Sequence, residues 1–266
     1  MTSGEAIAWL RDYAAAWERG DNGVVELFTP DATYRSGIFR DAHSGHDGIG
    51  AYWRAATSTQ ADARVLVGDA LVDGERVVAE WSTAMTDDGE PATLPGVLLL
   101  DFAGDRCRAL REYWAHETGR HDPYAGWGRF AGGDAARHAD AWAEAYARAW
   151  RAGDAGAAAR LYAQDVVFRS HPFREPQHGP AEVRAYTASA FTSEGDRVVR
   201  FGRPVAEDGG AAVEYWTTYT EDGTPQTLAG CVLMSFDASG TVSESRDYWH
   251  VIGGTFEPPA GWGWRT

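Results

Sequence analysis

The sequence predicts an α+β fold written twice, and three observations carry that prediction. Phrases recur in the same order through both halves, aromatic residues at helical spacing open each half, and strand-like runs separated by glycine turns close it. The segment Trp9-Leu-Arg-Asp-Tyr13-Ala-Ala-Ala-Trp17-Glu-Arg-Gly20-Asp21 returns as Trp142-Ala-Glu-Ala-Tyr146-Ala-Arg-Ala-Trp150-Arg-Ala-Gly153-Asp154, an offset of 142 − 9 = 133. Asp31-Ala-Thr-Tyr-Arg-Ser36 returns as Asp165-Val-Val-Phe-Arg-Ser170, an offset of 165 − 31 = 134. Glu80-Trp81-Ser-Thr83 pairs with Glu214-Tyr215-Trp-Thr217, and Arg111-Glu-Tyr-Trp114 with Arg246-Asp-Tyr-Trp249. Gly126-Trp-Gly128 matches Gly261-Trp-Gly263, and the Gly/Ala stretch after it places the boundary between domains 1–130 and 131–266.

Within each half, Trp9, Tyr13 and Trp17, or Trp142, Tyr146 and Trp150, form one stripe along a first helix. Gly20 and Gly153 stand where a helix ends left-handed, and Asp21 and Asp154 are N-caps for a second helix reaching Pro30 or Gln164. A short extended stretch follows at Thr33 to Phe39 and Val167 to Phe173. A third helix covers 47–56 and 181–191. Strands are expected at 64–72, 77–86, 94–102 and 108–116, with turns at Asp73-Gly74, Asp88-Gly89 and Gly104, and their counterparts at Gly209-Gly210, Asp222-Gly223 and Gly240. Helices followed by such a meander imply a curved antiparallel sheet packed over about three N-terminal helices.

Composition narrows the function classes. Of 266 residues, 44% are hydrophobic, and the 24 Lys+Arg are all arginine against 39 Asp+Glu, leaving −15. So acidic a surface repels phosphate backbones, and no nucleic-acid partner is expected. No apolar run approaches membrane-spanning length, and the opening MTSGEAIAWLRDY has neither a basic start nor an apolar core. The expectation is a cytoplasmic protein with no membrane partner. The absence of lysine excludes a lysine Schiff base and a lysine-bearing phosphate loop. Two cysteines make no disulfide framework, and twelve tryptophans point to aromatic-walled pockets. The bias toward Ala, Arg and Gly suggests a GC-rich bacterial genome.

The phrases Tyr-x₃-Trp-x₂-Gly-Asp at 13–21 and 146–154, Leu-Phe-Thr-Pro-Asp-Ala-Thr at 27–33, Leu-Tyr-Ala-Gln-Asp-Val-Val at 161–167 and the closing Arg-(Glu/Asp)-Tyr-Trp strand resemble the nuclear transport factor 2-like superfamily, in particular its SnoaL-like and ketosteroid-isomerase-like branches. The resemblance implies two cones, each with an apolar cavity between sheet and helices. Two copies in one chain look like an intrachain pseudo-dimer, so the expected states are a monomer or a further homodimer. In isomerase-like relatives the first-helix tyrosine reaches the cavity, and it is kept as Tyr13 and Tyr146. The isomerase's two catalytic aspartates, however, align with Ser36 and Ser170, and with Leu98 and Val232. Ketosteroid-type isomerisation is therefore not expected.

If the register of that family holds, strand alternation turns Leu110, Glu112, Trp114 and His116 inward, and likewise Ser245, Asp247 and Trp249. Trp81, Thr83 and Met85 join them in the first half, and Tyr215, Thr217 and Tyr219 in the second. Each cup then holds one carboxylate among rings, and desolvation raises the pKa of such a group into the range of proton transfer. Glu112 and Asp247 are accordingly the acid/base candidates, with Tyr13 and Tyr146 beside them. The other reading, pairing with Arg35 or Arg169, remains open. Trp17, Trp81, Trp114, Trp150, Tyr215, Thr217, Tyr219, Trp249 and Arg169 are the candidate substrate-binding residues. His171, next to the position of a lost aspartate, is a candidate base in the second half. His43-x₂-His46 shows no third ligand nearby, so neither a metal nor a cofactor is expected. Glu80 and Glu214 fall on the opposite face, where contact between the halves is the expectation.

The function expected is a cofactor-free enzyme that moves a proton on a small apolar molecule, of cyclase, isomerase, dehydratase or epoxide-hydrolase type, with secondary metabolism as its associated setting. Two rival classes are a non-catalytic carrier of a small hydrophobic ligand and a scaffold that binds a protein on its sheets.

Overall fold

A computed structural model describes residues 1–264. The chain divides into two compact units, Met1–Arg129 and Phe130–Thr266. In the first, α1 (Ser3–Arg19) begins with a reciprocal cap in which the Thr2 hydroxyl accepts from the Glu5 amide and the Glu5 carboxylate accepts from the Thr2 amide. It ends at Gly20 in the left-handed region, φ 60°. A 3-10 turn (Asn22–Leu27) leads to β1 (Phe28–Arg35) and β2 (His43–Ser44), then α2 (Gly45–Thr57). The meander is β3 (Gln60–Asp73), β4 (Arg76–Asp87), β5 (Glu90–Ala103) and β6 (Arg106–Trp114), with the short β7 (Glu117–Thr118) beside β5.

The second unit repeats the plan with α3 (Ala135–Ala152), α4 (Ala155–Ala159), β8 (Tyr162–Arg169), β9 (Gln177–His178) and α5 (Gly179–Ser193). Then come β10 (Gly195–Phe201), β11 (Val205–Glu207), β12 (Gly210–Glu221), β13 (Thr224–Phe236) and β14 (Val242–Gly253). Each unit has a seven-stranded sheet, in the orders β2-β1-β6-β5-β4-β3 and β10-β12-β13-β14-β8-β9.

Two expectations need correction. The sheets are mixed, because β1 runs parallel to β6 and β8 parallel to β14. Parallel neighbours need a long connection, and the third helix plus the meander supply one. The first strand also starts earlier than expected, at Phe28 and Tyr162. Asp21 and Asp154 cap only short turns, accepting from the Gly23 and Ala157 amides at 2.8 Å each. A register shift between Phe28 and Thr33 then lets β1 include Pro30, which lacks the amide hydrogen a regular ladder uses.

The Asp88-Gly89 and Asp222-Gly223 turns form two-residue hairpins, closing Asp87 on Glu90 and Glu221 on Thr224, while at Asp73-Gly74 the loop is Gly74-Glu75 and closes Asp73 on Arg76. Asp88 and Gly89 have φ of 50° and 85°, and Asp222 and Gly223 49° and 77°, the geometry that suits right-twisted strands. The repeated Gly-Trp-Gly motif closes each unit on its own sheet. The Gly128 carbonyl accepts from the Asp69 amide at 2.6 Å, and the Gly263 carbonyl from the Arg203 amide at 2.8 Å. Backbones approach so closely there that a Cβ on Gly68 or Gly202 would lie 2.6 Å from the facing glycine Cα. Between sheet and helices lies the core, with Trp9 stacked on Tyr13 at 5.3 Å and Trp142 on Tyr146 at 4.9 Å. Among the described residues no helix is long and apolar enough to cross a membrane.

Candidate functional site

Each unit encloses one aromatic-walled cavity between the curved sheet and its helices. The first, of about 320 Å³, is lined by Trp17, Tyr34, Tyr52, Trp53, Trp81, Leu94, Glu112 and Trp114, with Arg40 and Asp87 also contributing. The second, of about 430 Å³, is lined by Trp142, Tyr146, Trp150, Tyr186, Phe201, Tyr215, Tyr219, Asp247 and Trp249, among others. The ring carried by the third helix changes place between the two cavities, since Thr57 in the first corresponds to Phe191 in the second (191 − 57 = 134). Trp53, which walls the first cavity, corresponds to Thr187 in the second (187 − 53 = 134).

Alternation along β6 and β14 delivers the carboxylates. Glu112 stands directly across from Leu98, and Asp247 across from Val232. Directly opposed residues share a face. The acids therefore share a wall with Leu98 and Val232, one strand over. Glu112 is buried, 4% exposed. Its Oε1 accepts from the Tyr34 hydroxyl at a long 3.4 Å, Tyr34 and Tyr13 share a hydroxyl contact of 2.6 Å, and Glu112 Oε2 has no hydrogen-bond partner. Asp247 is half-buried and faces its cavity, and the Tyr215 hydroxyl donates to Oδ1 at 3.0 Å and Oδ2 at 3.1 Å.

Among the described residues neither carboxylate forms a salt bridge. Burial raises Glu112 to about 8, opposed only by the Tyr34 hydrogen bond. Burial likewise raises Asp247 to about 8, with the Tyr215 hydroxyl and the Tyr248 amide pulling the other way. Burial and the nearby carboxylate push Tyr34, Tyr146 and Tyr215 upward, so these phenols stay protonated and serve as donors.

The phenol reaches its acid by different routes in the two units. Tyr34 lies on β1, where the second unit has Phe168, and Tyr215 lies on β12, where the first has Trp81. Glycine makes room on the neighbouring strand. A Cβ on Gly230 would collide with the Tyr215 hydroxyl, and one on Gly96 would sit 2.7 Å from the Trp81 ring. Trp114 and Trp249 are pinned alike, their indole N–H groups donating to the Ser36 and Ser170 carbonyls at 2.7 and 2.8 Å.

Several of the residues expected at the site stand elsewhere. Tyr13 lies behind Tyr34 rather than in the cavity wall. Arg169 points to the opposite side of β8 from Phe168, 4.0 Å from Glu244, so it neither lines the cavity nor pairs with Asp247. Arg35 donates to the Arg40 carbonyl, not to Glu112. Thr217 is fully buried outside the wall. His171 sits in the loop after β8, outside the lining, its Nδ1 accepting from the Phe173 amide at 3.3 Å and its ring 5.8 Å from Trp249. Glu214 is buried away from the cavity and accepts from the Gly263 amide at 2.8 Å, anchoring the closing motif. His116 falls beyond the end of β6.

Sequence reading passed over Tyr34, Tyr52, Tyr186 and Glu194. Tyr52 and Tyr186 recur at 186 − 52 = 134 on the third helix, a signal that was there to use. Glu194 carries no such signal, because its hydrogen bond to Trp150 joins residues 44 positions apart. Among the described residues, no three His, Cys, Asp or Glu side chains gather as metal ligands would.

A tandem pair of cone-like α+β units, each with a carboxyl from its last long strand in an aromatic cavity, defines the class of protein. The SnoaL-like domain family matches residues 10–110 and again 143–245, and the chain belongs to that family. Several solved structures are similar to the chain at low identity, one of them described as having a ketosteroid isomerase-like fold. One is a hypothetical protein from Catenulispora acidiphila DSM 44928 in complex with trimethylamine, 22% identical, covering 40% of this chain and 85% of its own, with a TM-score of 0.38. Another is the epoxide hydrolase/cyclase-like enzyme SalBIII of pyran ring formation in polyether salinomycin, 19% identical over 46% of this chain and 98% of its own, TM-score 0.41. A third is RV0760c from Mycobacterium tuberculosis, 14% identical over 45% and 99%, TM-score 0.40. No curated protein sequence matches the chain.

Proposed function

We propose that the chain is a cofactor-free enzyme that transfers a proton on a small, largely apolar molecule, with the second cavity as its working site. One observation carries this reading: Asp247 is held among aromatic rings with a phenol as its partner, and burial raises it to about 8. A carboxyl of that kind is protonated at neutral pH yet close to releasing its proton, the condition general acid/base catalysis favours. Asp247 donates a proton to a carbonyl, hydroxyl or epoxide oxygen of the substrate, and the resulting carboxylate, steadied by Tyr215, removes one from the neighbouring carbon or the attacking hydroxyl. Tyr146 and Tyr186, whose hydroxyls both feel the Asp247 charge, orient the reacting oxygen. His171 has no part in this scheme, because it stands outside the wall with Nδ1 engaged.

The first cavity supports the same chemistry less well. It is smaller, and Glu112, although part of its wall, is only 4% exposed. Its role is closer to bracing or binding without turnover.

The test begins by incubating the protein with metabolite extracts and identifying what stays bound by mass spectrometry. Turnover of that compound should fall by about 10²-fold or more in Asp247→Asn. Unchanged turnover in the variant, or a ligand that always returns chemically unaltered from the wild type, contradicts the proposal.

A further inference from the structure

The acid/base reading leaves unused a second buried carboxylate in the same cavity. Glu194 follows the last residue of α5 and is 6% exposed. Its Oε2 accepts from the Trp150 indole N–H at 2.6 Å, so carboxylate and indole are locked together in the wall. Trp150 stacks with Phe191 at 6.1 Å and meets Tyr215 at 5.4 Å. Glu221 and Tyr219, both on β12, line the cavity as well.

Among the described residues no salt bridge joins Glu194 to a cation, although the Arg197 charge pulls its carboxyl downward against burial. Arg197 is the nearby cation, and its N–H groups donate instead to the backbone carbonyls of Trp150, Phe191 and Glu194. Arg174 lines the cavity too, but stacks over Trp249 at 5.5 Å.

The first unit supplies an internal control. Trp17 makes the equivalent bond at 2.7 Å, but to the amide oxygen of Gln60, and 194 − 60 = 134. A glutamine therefore holds the indole in this fold without any charge. What the acid adds is a group that burial pushes toward its neutral form and that carries a negative charge when a cation is bound beside it. Such a charge costs free energy unless a cation joins it, and ring faces attract the same cation.

We propose that the second cavity binds a molecule bearing a protonated or quaternary amine, with the nitrogen held between Glu194 and Glu221 against the rings of Trp150, Phe191 and Tyr219. The apolar body of that molecule extends toward Asp247. This inference rests on the second cavity being the ligand site, and it names the substrate class.

The test uses the full chain and three probes read by calorimetry: benzyltrimethylammonium, its neutral isostere neopentylbenzene, and phenylacetate as an anion. The wild type should bind the cation about tenfold or more tighter than the neutral isostere, and phenylacetate weakest. Glu194→Gln, which installs the residue the first unit already uses, should erase that preference and leave the neutral probe's affinity unchanged. If Glu194→Gln loses the neutral probe as well, Glu221→Gln decides, and it should weaken the cation alone. Equal binding of cation and neutral probe by the wild type, or a preference that survives both substitutions, overturns this inference while leaving the acid/base reading standing. Failure of every probe to bind overturns both.

Discussion

Tyr215 donates its hydroxyl to Asp247 from the sheet position that Trp81 holds in the first unit. The complementary exchange occurs on the first strand, where Tyr34 serves Glu112 and Phe168 takes its place in the second unit. Two opposite substitutions thus leave one phenol on the carboxyl of each cavity. The pairing is maintained although the strand that supplies it is not, which ties it to the acid rather than to packing at either position.

The Tyr215 bond holds the Asp247 pKa down against burial. Tyr215→Phe should therefore move the Asp247 midpoint upward, and the alkaline limb of turnover with it. A carbon-detected titration of the side chain checks this, and a downward shift would contradict it.

Raised carboxyls also predict how stability depends on pH. Below the ordinary aspartate range both native and unfolded states are protonated, so burial of Asp247 costs nothing extra. As pH rises toward about 8 the unfolded chain ionises first and stability drains away, levelling off once the native group ionises too. Asp247→Asn removes that penalty while keeping an acceptor for Tyr215. Its melting temperature relative to wild type should climb between mildly acidic and mildly alkaline buffer. A difference independent of pH would contradict the burial of a neutral acid.

Gly230 leaves the space that the Tyr215 hydroxyl fills. In Gly230→Ala the ring must shift, so the Asp247 midpoint should rise as it does in Tyr215→Phe, with a stability loss of about 1–3 kcal/mol from overpacking. Denaturant unfolding with the same titration separates the two effects, and an unmoved midpoint would show that the phenol keeps its place.

Thr187→Trp restores in the second unit the ring that Trp53 places in the first. The larger cavity should shrink toward the smaller one, and affinity for any bound ligand should fall about tenfold or more, as displacement titration would show. Undiminished affinity would put the ligand elsewhere.

The duplication, the helix stripe and the two Asp-Gly hairpins could be read directly, because each depends on local chemistry repeated at a near-constant offset. The strand carrying Glu112 and Asp247 could be read for the same reason, since alternation along one strand settles which side chains share a face. The partners of those acids could not. Tyr34 and Glu112 are 78 residues apart, and Tyr215 and Asp247 32 apart. They meet only through sheet order, including the parallel pairing of β1 with β6 that the meander pattern did not suggest. Sequence suggests Arg169 for the site because it flanks a stretch at the expected cavity rim, and His171 because it adjoins the serine aligned with an aspartate. The structure turns Arg169 to the far side of its strand and leaves His171 in a loop.

The most direct measurement is a nuclear magnetic resonance titration of the Asp247 carboxyl carbon in the intact protein, with Asp247→Asn identifying the signal. A midpoint near 8 is expected from a carboxyl buried among rings with only a phenol and one amide as partners. A midpoint near about 3.9, where an ordinary aspartate titrates, would mean that water reaches the group and that the cavity does not hold a proton in reserve.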